Sequence, residues 1–330
     1  MNFGEFQELR TTLLRDRPEV IDCGATNLYG ALARLIPPPL PPSEQRTHRS
    51  HLAAEWVRRF GLPTEVARRA FVSCGVRDSL ALLFTRYAAD RALLWLPSDN
   101  YPVYAAIARA AGLAPREYPT LPEPLWPFNP PSSNHEVLLL TNPLKPRGRW
   151  IDQADVDCLT AWLSASARRR VLIDAVYTFE TSFHATTVDL FRTEQVILLH
   201  SLTKGWLQPR LFGIALVPEQ DTGVLAPSFK QHAVPQHSLA RAREMLGSHA
   251  ALPALIAQEL RNARERLHAM LPSGVATIEP LNATGYFTPV RCGLELLESR
   301  RLLGIPASAF GSRQEDITVL SSLSFISPDS

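Results

Sequence analysis

The chain has 330 residues, 45% of them hydrophobic and 20% charged, with a formal net charge of +2. That balance excludes a disordered chain, no apolar run approaches the roughly 18 residues of a membrane span, and the scattered charges form no basic stripe for nucleic acid. A globular protein with a small-molecule partner is expected, built as one large domain and a smaller satellite.

The opening stretch, MNFGEFQELRTTLLRDRPEV, mixes acids with apolar residues and has no unbroken apolar core, so no secretory leader is read and the cytoplasm is the expected location. Cys23, Cys74, Cys158 and Cys292 stand far apart with no C-x-x-C pair. This predicts reduced thiols, with neither a disulfide framework nor a metal centre.

Residues 1–45 read as an N-terminal arm crossing between domains: a short helix at 4–14, the strand-like VIDCG at 20–24 and the proline-rich IPPPLPP at 36–42. From 46 to 225 strands and helices alternate. Apolar runs at 71–75, 92–97, 136–143 and 170–177 are separated by helical patterns at 77–89, 101–111 and 154–166, and a further helix at 51–60 precedes them. Such alternation predicts a three-layer α/β/α large domain with a mainly parallel sheet, whose ligand sits at the carboxyl ends of the strands. The tract PTLPEPLWPFNPP at 119–131 reads as a surface loop. Residues 226–330 carry helices at 238–248 and 252–270 and short strands at 286–291 and 317–320, a smaller α+β domain.

The stretch VILLHSLTKGWLQPRLFGIALVP, from Val196 to Pro218, organises the rest. It sets a polar loop with Ser201, Thr203, Lys204 and Arg210 between two buried-type strands. A lysine whose pKa falls on burial becomes a nucleophile able to form a Schiff base with a carbonyl. Three other polar clusters fall at strand ends: Ser73 to Arg77, where a helix N-terminus would face an anion; Asn142; and Asp174 with Tyr177. Each has an ordinary structural reading as a turn or cap, but all four are expected on one edge of one sheet.

With these residues assembled, the chain resembles the class I/II aminotransferases, pyridoxal-phosphate enzymes of fold type I, from about Phe71 to Gly213. S-L-T-K at 201–204 matches the family's Ser-x-x-Lys, which implies that Lys204 carries pyridoxal 5'-phosphate as a Schiff base. D-A-V-Y at 174–177 matches Asp-x-x-Tyr, which implies Asp174 against the pyridine nitrogen and Tyr177 against the ring's 3-oxygen. N-P-L-K-P-R-G at 142–148 implies the same oxygen for Asn142, and D-N-Y-P-V-Y at 99–104 implies that Tyr101 stacks on the ring. Gly75, Val76 and Arg77 match the phosphate-binding turn, which Ser201 and Arg210 would complete.

The resemblance implies an amino acid or amine substrate, transamination as the commonest reaction, and a homodimer. Decarboxylation, elimination or replacement on the same scaffold, and a non-catalytic binding protein, are the alternatives. The family often sends a tyrosine from the partner subunit to the phosphate; this chain has none at 41–51, so Arg46, His48 or Arg49 is expected there. Where the family has an arginine for the substrate α-carboxylate, this chain has Leu320. Either the substrate is an amine or an unusual, larger amino acid of specialised metabolism, or Arg34, Arg291 or Arg313 replaces the missing cation.

Overall fold

A computed structural model describes the chain except residues 40–45, 101, 129–134, 181, 280–283, 294 and 328–330. The N-terminal segment forms α1 (Phe3–Asp16), β1 (Ile21–Asp22) and α2 (Leu28–Ala31). Asn2 starts α1 with a capping box: its side chain accepts from the Glu5 N–H while the Glu5 carboxylate accepts from the Asn2 N–H. Next come α3 (Arg49–Arg59), β2 (Ala70–Ser73), α4 (Val76–Ala89), β3 (Leu93–Pro97), α5 (Val103–Ala110) and β4 (Arg116–Tyr118). They are followed by β5 (Glu136–Thr141), α6 (Gln153–Ser164), β6 (Arg169–Asp174), α7 (Ala185–Phe191), β7 (Val196–Ser201), the single turn α8 (Leu202–Gly205) and β8 (Gly213–Leu216).

Seven strands pair in the order β2-β8-β7-β6-β5-β3-β4. Every neighbouring pair is parallel except those of β8, which runs against both β7 and β2. Val137 to Leu140, Val171 to Ile173 and Ile197 to Leu199 are buried along their length, as a sheet covered on both faces requires. Helix α4 packs on β7 and β8, α6 on β6, and α7 on β7. The expected three-layer architecture with a mainly parallel sheet is what the chain forms.

Three helices follow: α9 (Thr222–Gln231), α10 (Gln236–Gly247) and α11 (Leu252–Met270). Helix α9 packs on β2 and α4, with Phe229 stacked on Phe71 at 5.4 Å between ring centroids. The expected boundary between residues 225 and 226 falls inside this helix, and we propose to draw it after Gln231.

The remainder holds β9 (Ala276–Thr277), β10 (Phe287–Arg291), α12 (Glu295–Arg300), β11 (Leu302–Leu303), β12 (Ile305–Pro306) and β13 (Ile317–Ser321). Four of these make an antiparallel sheet, ordered β12-β13-β10-β9. The N-terminal segment joins this part of the molecule. Strand β1 pairs in parallel with β11, and Phe3 lies 5.9 Å from Phe310. We propose that residues 1–36 belong structurally with the C-terminal region.

Candidate active site

The loops that leave the carboxyl ends of β2, β3, β5, β6 and β7 converge on a cavity of about 720 Å³. Thr26, Tyr286, Phe287 and Phe310 close it from the side of the C-terminal region.

At the end of β2, Gly75 takes φ 144° and opens α4 without a side-chain cap, so the first turn of a 14-residue helix presents its N-terminus to the cavity. Ser73 braces the turn, its hydroxyl 2.7 Å from Ser79 Oγ and accepting from the Gly75 N–H at 3.3 Å. Cys74 N–H donates to Asp78 at 2.8 Å, and Asp78 in turn lies 2.7 Å from His232 Nε2. Arg77 stands exposed at the rim. Arg210, also exposed and lining the cavity, adopts a left-handed backbone with φ 58° just before β8. Among the described residues neither arginine forms an ion pair, so both guanidinium groups are available to an anion.

Ser201 ends β7, and its side chain accepts from the Thr203 N–H at 3.3 Å, which starts α8 and carries Lys204 into the cavity. Burial first, then the positive charges of Lys145 and Arg77, push Lys204 down to about 7, with Asp174 opposing them. At neutral pH a large share of that amine is therefore unprotonated.

Asp174 ends β6 and is buried. One carboxylate oxygen accepts from the Val176 N–H at 3.0 Å and the other from the Tyr104 hydroxyl at 2.5 Å. Burial, followed by the Asp174 charge, holds Tyr104 well above the ordinary phenol range, so it stays a donor.

Tyr177 lies in the cavity wall with its hydroxyl 2.8 Å from that of Tyr286. Tyr286 OH also lies 3.3 Å from the Thr26 carbonyl, which can only accept, so Tyr286 donates there and Tyr177 donates to Tyr286. Lys145 Nζ sits 3.7 Å from the centroid of the Tyr177 ring, and Lys204 Nζ 5.2 Å from it. Burial lowers Lys145 to about 8, with Arg77 adding to the effect and Asp174 opposing it.

The cavity thus brings together Gly75, Val76, Arg77, Asp174, Tyr177, Ser201, Lys204 and Arg210 from the expected set. Asn142 is not among its lining residues. Its amide donates to Thr187 Oγ1 at 2.8 Å and its carbonyl accepts from the Ile151 N–H at 3.0 Å, so both ends of the side chain are engaged in bracing the loop. Tyr101 lies outside the described residues.

The expected replacements for the missing arginine are also turned elsewhere. Arg34 pairs with Glu259 at 3.0 Å, Arg291 pairs with Asp316 at 2.9 Å, and Arg313 is exposed away from the cavity lining. Leu320 is buried in the C-terminal core with Leu267, Val290 and Leu302. Arg49, one of three candidates for reaching a neighbour's phosphate, donates instead to the carbonyls of Phe229 and His232 at 3.1 and 2.6 Å.

Among the lining residues that the sequence reading missed, three bear on the chemistry: Lys145, Tyr104 and Tyr286. The first two lie inside segments already singled out, N-P-L-K-P-R-G and D-N-Y-P-V-Y, which was the available signal. Tyr286 had none beyond its place at the start of an expected strand.

The family model for aminotransferase class I and II matches residues 40–275. A curated relative, "Probable aminotransferase TAT1" of Arabidopsis thaliana, is 23% identical over 282 residues, covering 82% of this chain. The chain spans 60% of that relative's length. Among solved structures, a "probable N-succinyldiaminopimelate aminotransferase" of Thermus thermophilus superposes with TM-score 0.71 at 19% identity, covering 96% of this chain and 95% of that one. The L-threonine-O-3-phosphate decarboxylase of Porphyromonas gingivalis superposes with TM-score 0.64 at 16% identity, covering 93% and 97%. At these identities the two structures establish the shared fold. Among the described residues no helix is long and apolar enough to cross a membrane.

Proposed function

The chain belongs to the class I and II aminotransferase family, and on that premise we propose that it is a pyridoxal-phosphate-dependent transferase acting on an amino acid or amine. The observation that carries the reading is the meeting of Lys204, Asp174, Ser201 and the Gly75 turn in one cavity at the carboxyl ends of the sheet.

The donor set fits the cofactor. Its phosphate would be held by the N-terminus of α4, Ser201, Arg77 and Arg210; its ring nitrogen by the buried Asp174; its aldehyde carbon by Lys204. When bound, pyridoxal phosphate supplies an aldehyde that condenses with amines and a protonated ring that draws electron density from the substrate α-carbon.

The protein's own groups do the rest. Asp174, oriented by Tyr104 and the Val176 N–H, would hold a proton on the ring nitrogen. Lys204, with its pKa near 7, would take a proton from the substrate α-carbon onto its Nζ and give it either back to that carbon or to the cofactor's aldehyde carbon. The aromatic wall of Tyr177, Tyr286 and Phe287 would exclude water from that transfer. Asn142 is the member of the expected set that the geometry supports least.

A homodimer in the cytoplasm is part of the same reading, with Arg46 and His48, both exposed, left as candidates to reach a neighbour's site. Sedimentation of an active, cofactor-loaded monomer would contradict the dimer.

The deciding experiment is to load the protein with pyridoxal phosphate, add a panel of amino acids and amines, and analyse products. Appearance of pyridoxamine phosphate with an oxo product supports the transferase. Carbon dioxide or an eliminated group, with the cofactor unchanged, would identify the lyase alternative. No uptake of cofactor would contradict the reading altogether.

A further inference from the structure

We propose that Lys145 is the specificity-determining cation of this site, receiving the carboxylate of an α-amino acid in place of the arginine that the C-terminal strand lacks. The inference rests on the cofactor reading above and goes beyond it, because that reading leaves the substrate's acid group without a partner.

Among the described residues, the cations that face the cavity are Arg77, Lys145, Lys204 and Arg210. Arg77 and Arg210 stand by the turn at Gly75 and answer the phosphate, while Lys204 is the group that joins the cofactor. Lys145 remains. Leu320 cannot serve, because it lies in the C-terminal core, and Arg34 and Arg291 already have carboxylate partners.

Lys145 is well placed for an acid group beside the reacting carbon. Its ammonium rests 3.7 Å from the centroid of the Tyr177 ring, and Lys204 approaches the same ring at 5.2 Å. Both lysines line the same cavity and the charge of Lys145 acts on Lys204, so a substrate whose α-carbon meets Lys204 would carry its carboxylate toward Lys145. Among the described residues no carboxylate lies within ion-pair distance of Lys145. The aromatic face offers it only a cation–π contact, which leaves a partly desolvated charge that an anion would complete. With its pKa near 8, Lys145 is mostly charged at neutral pH.

The backbone that carries Lys145 is firmly held. Its N–H donates to Thr141 Oγ1 at 2.9 Å, and its carbonyl accepts from Thr120 Oγ1 at 3.4 Å. Two residues on, the buried Arg147 is paired with Glu279 and with Glu123, the latter at 2.8 Å. A Cβ on Gly148 would lie 2.5 Å from the Thr284 carbonyl oxygen, so the loop is seated directly on the chain leading into β10. An ammonium makes a point contact where an arginine would make a planar two-bond fork, so the preference for amino acids over amines should be real but smaller than an arginine gives.

The test pairs L-alanine with ethylamine and L-phenylalanine with phenethylamine on the cofactor-loaded protein, reading dissociation constants from the cofactor absorbance. Lys145→Met should weaken both amino acids by about 10- to 100-fold and leave the amines unchanged, and Lys145→Arg should restore amino acid binding. Equal weakening of amino acids and amines, or no weakening, would overturn the proposal. Calorimetry of pyruvate with the cofactor-free protein, in phosphate buffer to compete for any anion site at the Gly75 turn, separates this inference from the cofactor reading. Pyruvate binding that disappears in Lys145→Met supports it; binding that survives, or that is absent from the unsubstituted protein, overturns it. Failure to take up pyridoxal phosphate would sink the cofactor reading and leave the pyruvate result to decide Lys145.

Discussion

Gly213 approaches Gly75 so closely that a Cβ on Gly213 would stand 2.5 Å from both Cα and the carbonyl carbon of Gly75. Strand β8 thereby presses directly on the turn that would hold the phosphate. Gly213→Ala should push that turn away, destabilising the protein by about 1–3 kcal/mol, as overpacking commonly does. The same displacement should raise the dissociation constant for pyridoxal phosphate at least several-fold in a fluorescence titration. Unchanged stability and affinity would show that the turn tolerates the methyl group.

The two lysines of the cavity make stability depend on pH. Lys204 and Lys145 are held at about 7 and about 8 in the fold against 10.5 in the unfolded chain. Between these values the unfolded chain binds more protons, so stability of the cofactor-free protein rises as pH increases from about 7 towards 10. Urea unfolding at pH 7 and pH 9 checks the sign, and Lys145→Met should show a smaller rise. A fall in stability over this interval would contradict the burial of the two amines.

Much of this was legible in the sequence because the central strands are unbroken apolar runs: Val137 to Leu140, Val171 to Ile173 and Ile197 to Leu199 have little alternative but to lie in a covered sheet. Strand β4 escaped notice because it is an edge strand of three residues, Arg116, Glu117 and Tyr118, two of them exposed and charged. Helix α7 begins ATTV, whose β-branched residues disguise a helix held by tertiary packing. The site was legible where a motif fixes a backbone position, as at Lys204 and Asp174. It was not legible where the outcome depends on which way a side chain turns. Asn142 turns to Thr187 and Ile151, and Lys145, ordinary as a loop lysine, is drawn over Tyr177 by packing that pattern alone does not reveal.

On the proposed reading, Asp174 serves the chemistry more than the fold. Asp174→Ala should still take up pyridoxal phosphate, since the phosphate contacts and Lys204 remain. Turnover should fall on the order of 10²–10³-fold, the scale expected when one preorganised electrostatic group is lost. Steady-state rates alongside cofactor occupancy measure both, and near-normal turnover would show that the reaction does not depend on this anion.

Arg147 is 3% exposed in its side chain and is flanked by Glu279 and Glu123. Arg147→Met leaves the buried Glu279 with only the longer contact to Arg149 at 4.0 Å and should destabilise the fold by about 3 kcal/mol. Denaturant unfolding reads the loss directly. A change below about 1 kcal/mol, the level of an exposed pair, would mean that the network is solvated.

The central claim is that Lys204, and not its neighbour on the Tyr177 ring, is the residue that joins the cofactor. Incubation with pyridoxal phosphate, borohydride reduction and peptide mapping by mass spectrometry tests it most directly. The account predicts a stable pyridoxyl adduct on the peptide carrying Lys204, abolished in Lys204→Ala and retained in Lys145→Met. An adduct on Lys145 or on another lysine, or none at all, would contradict it.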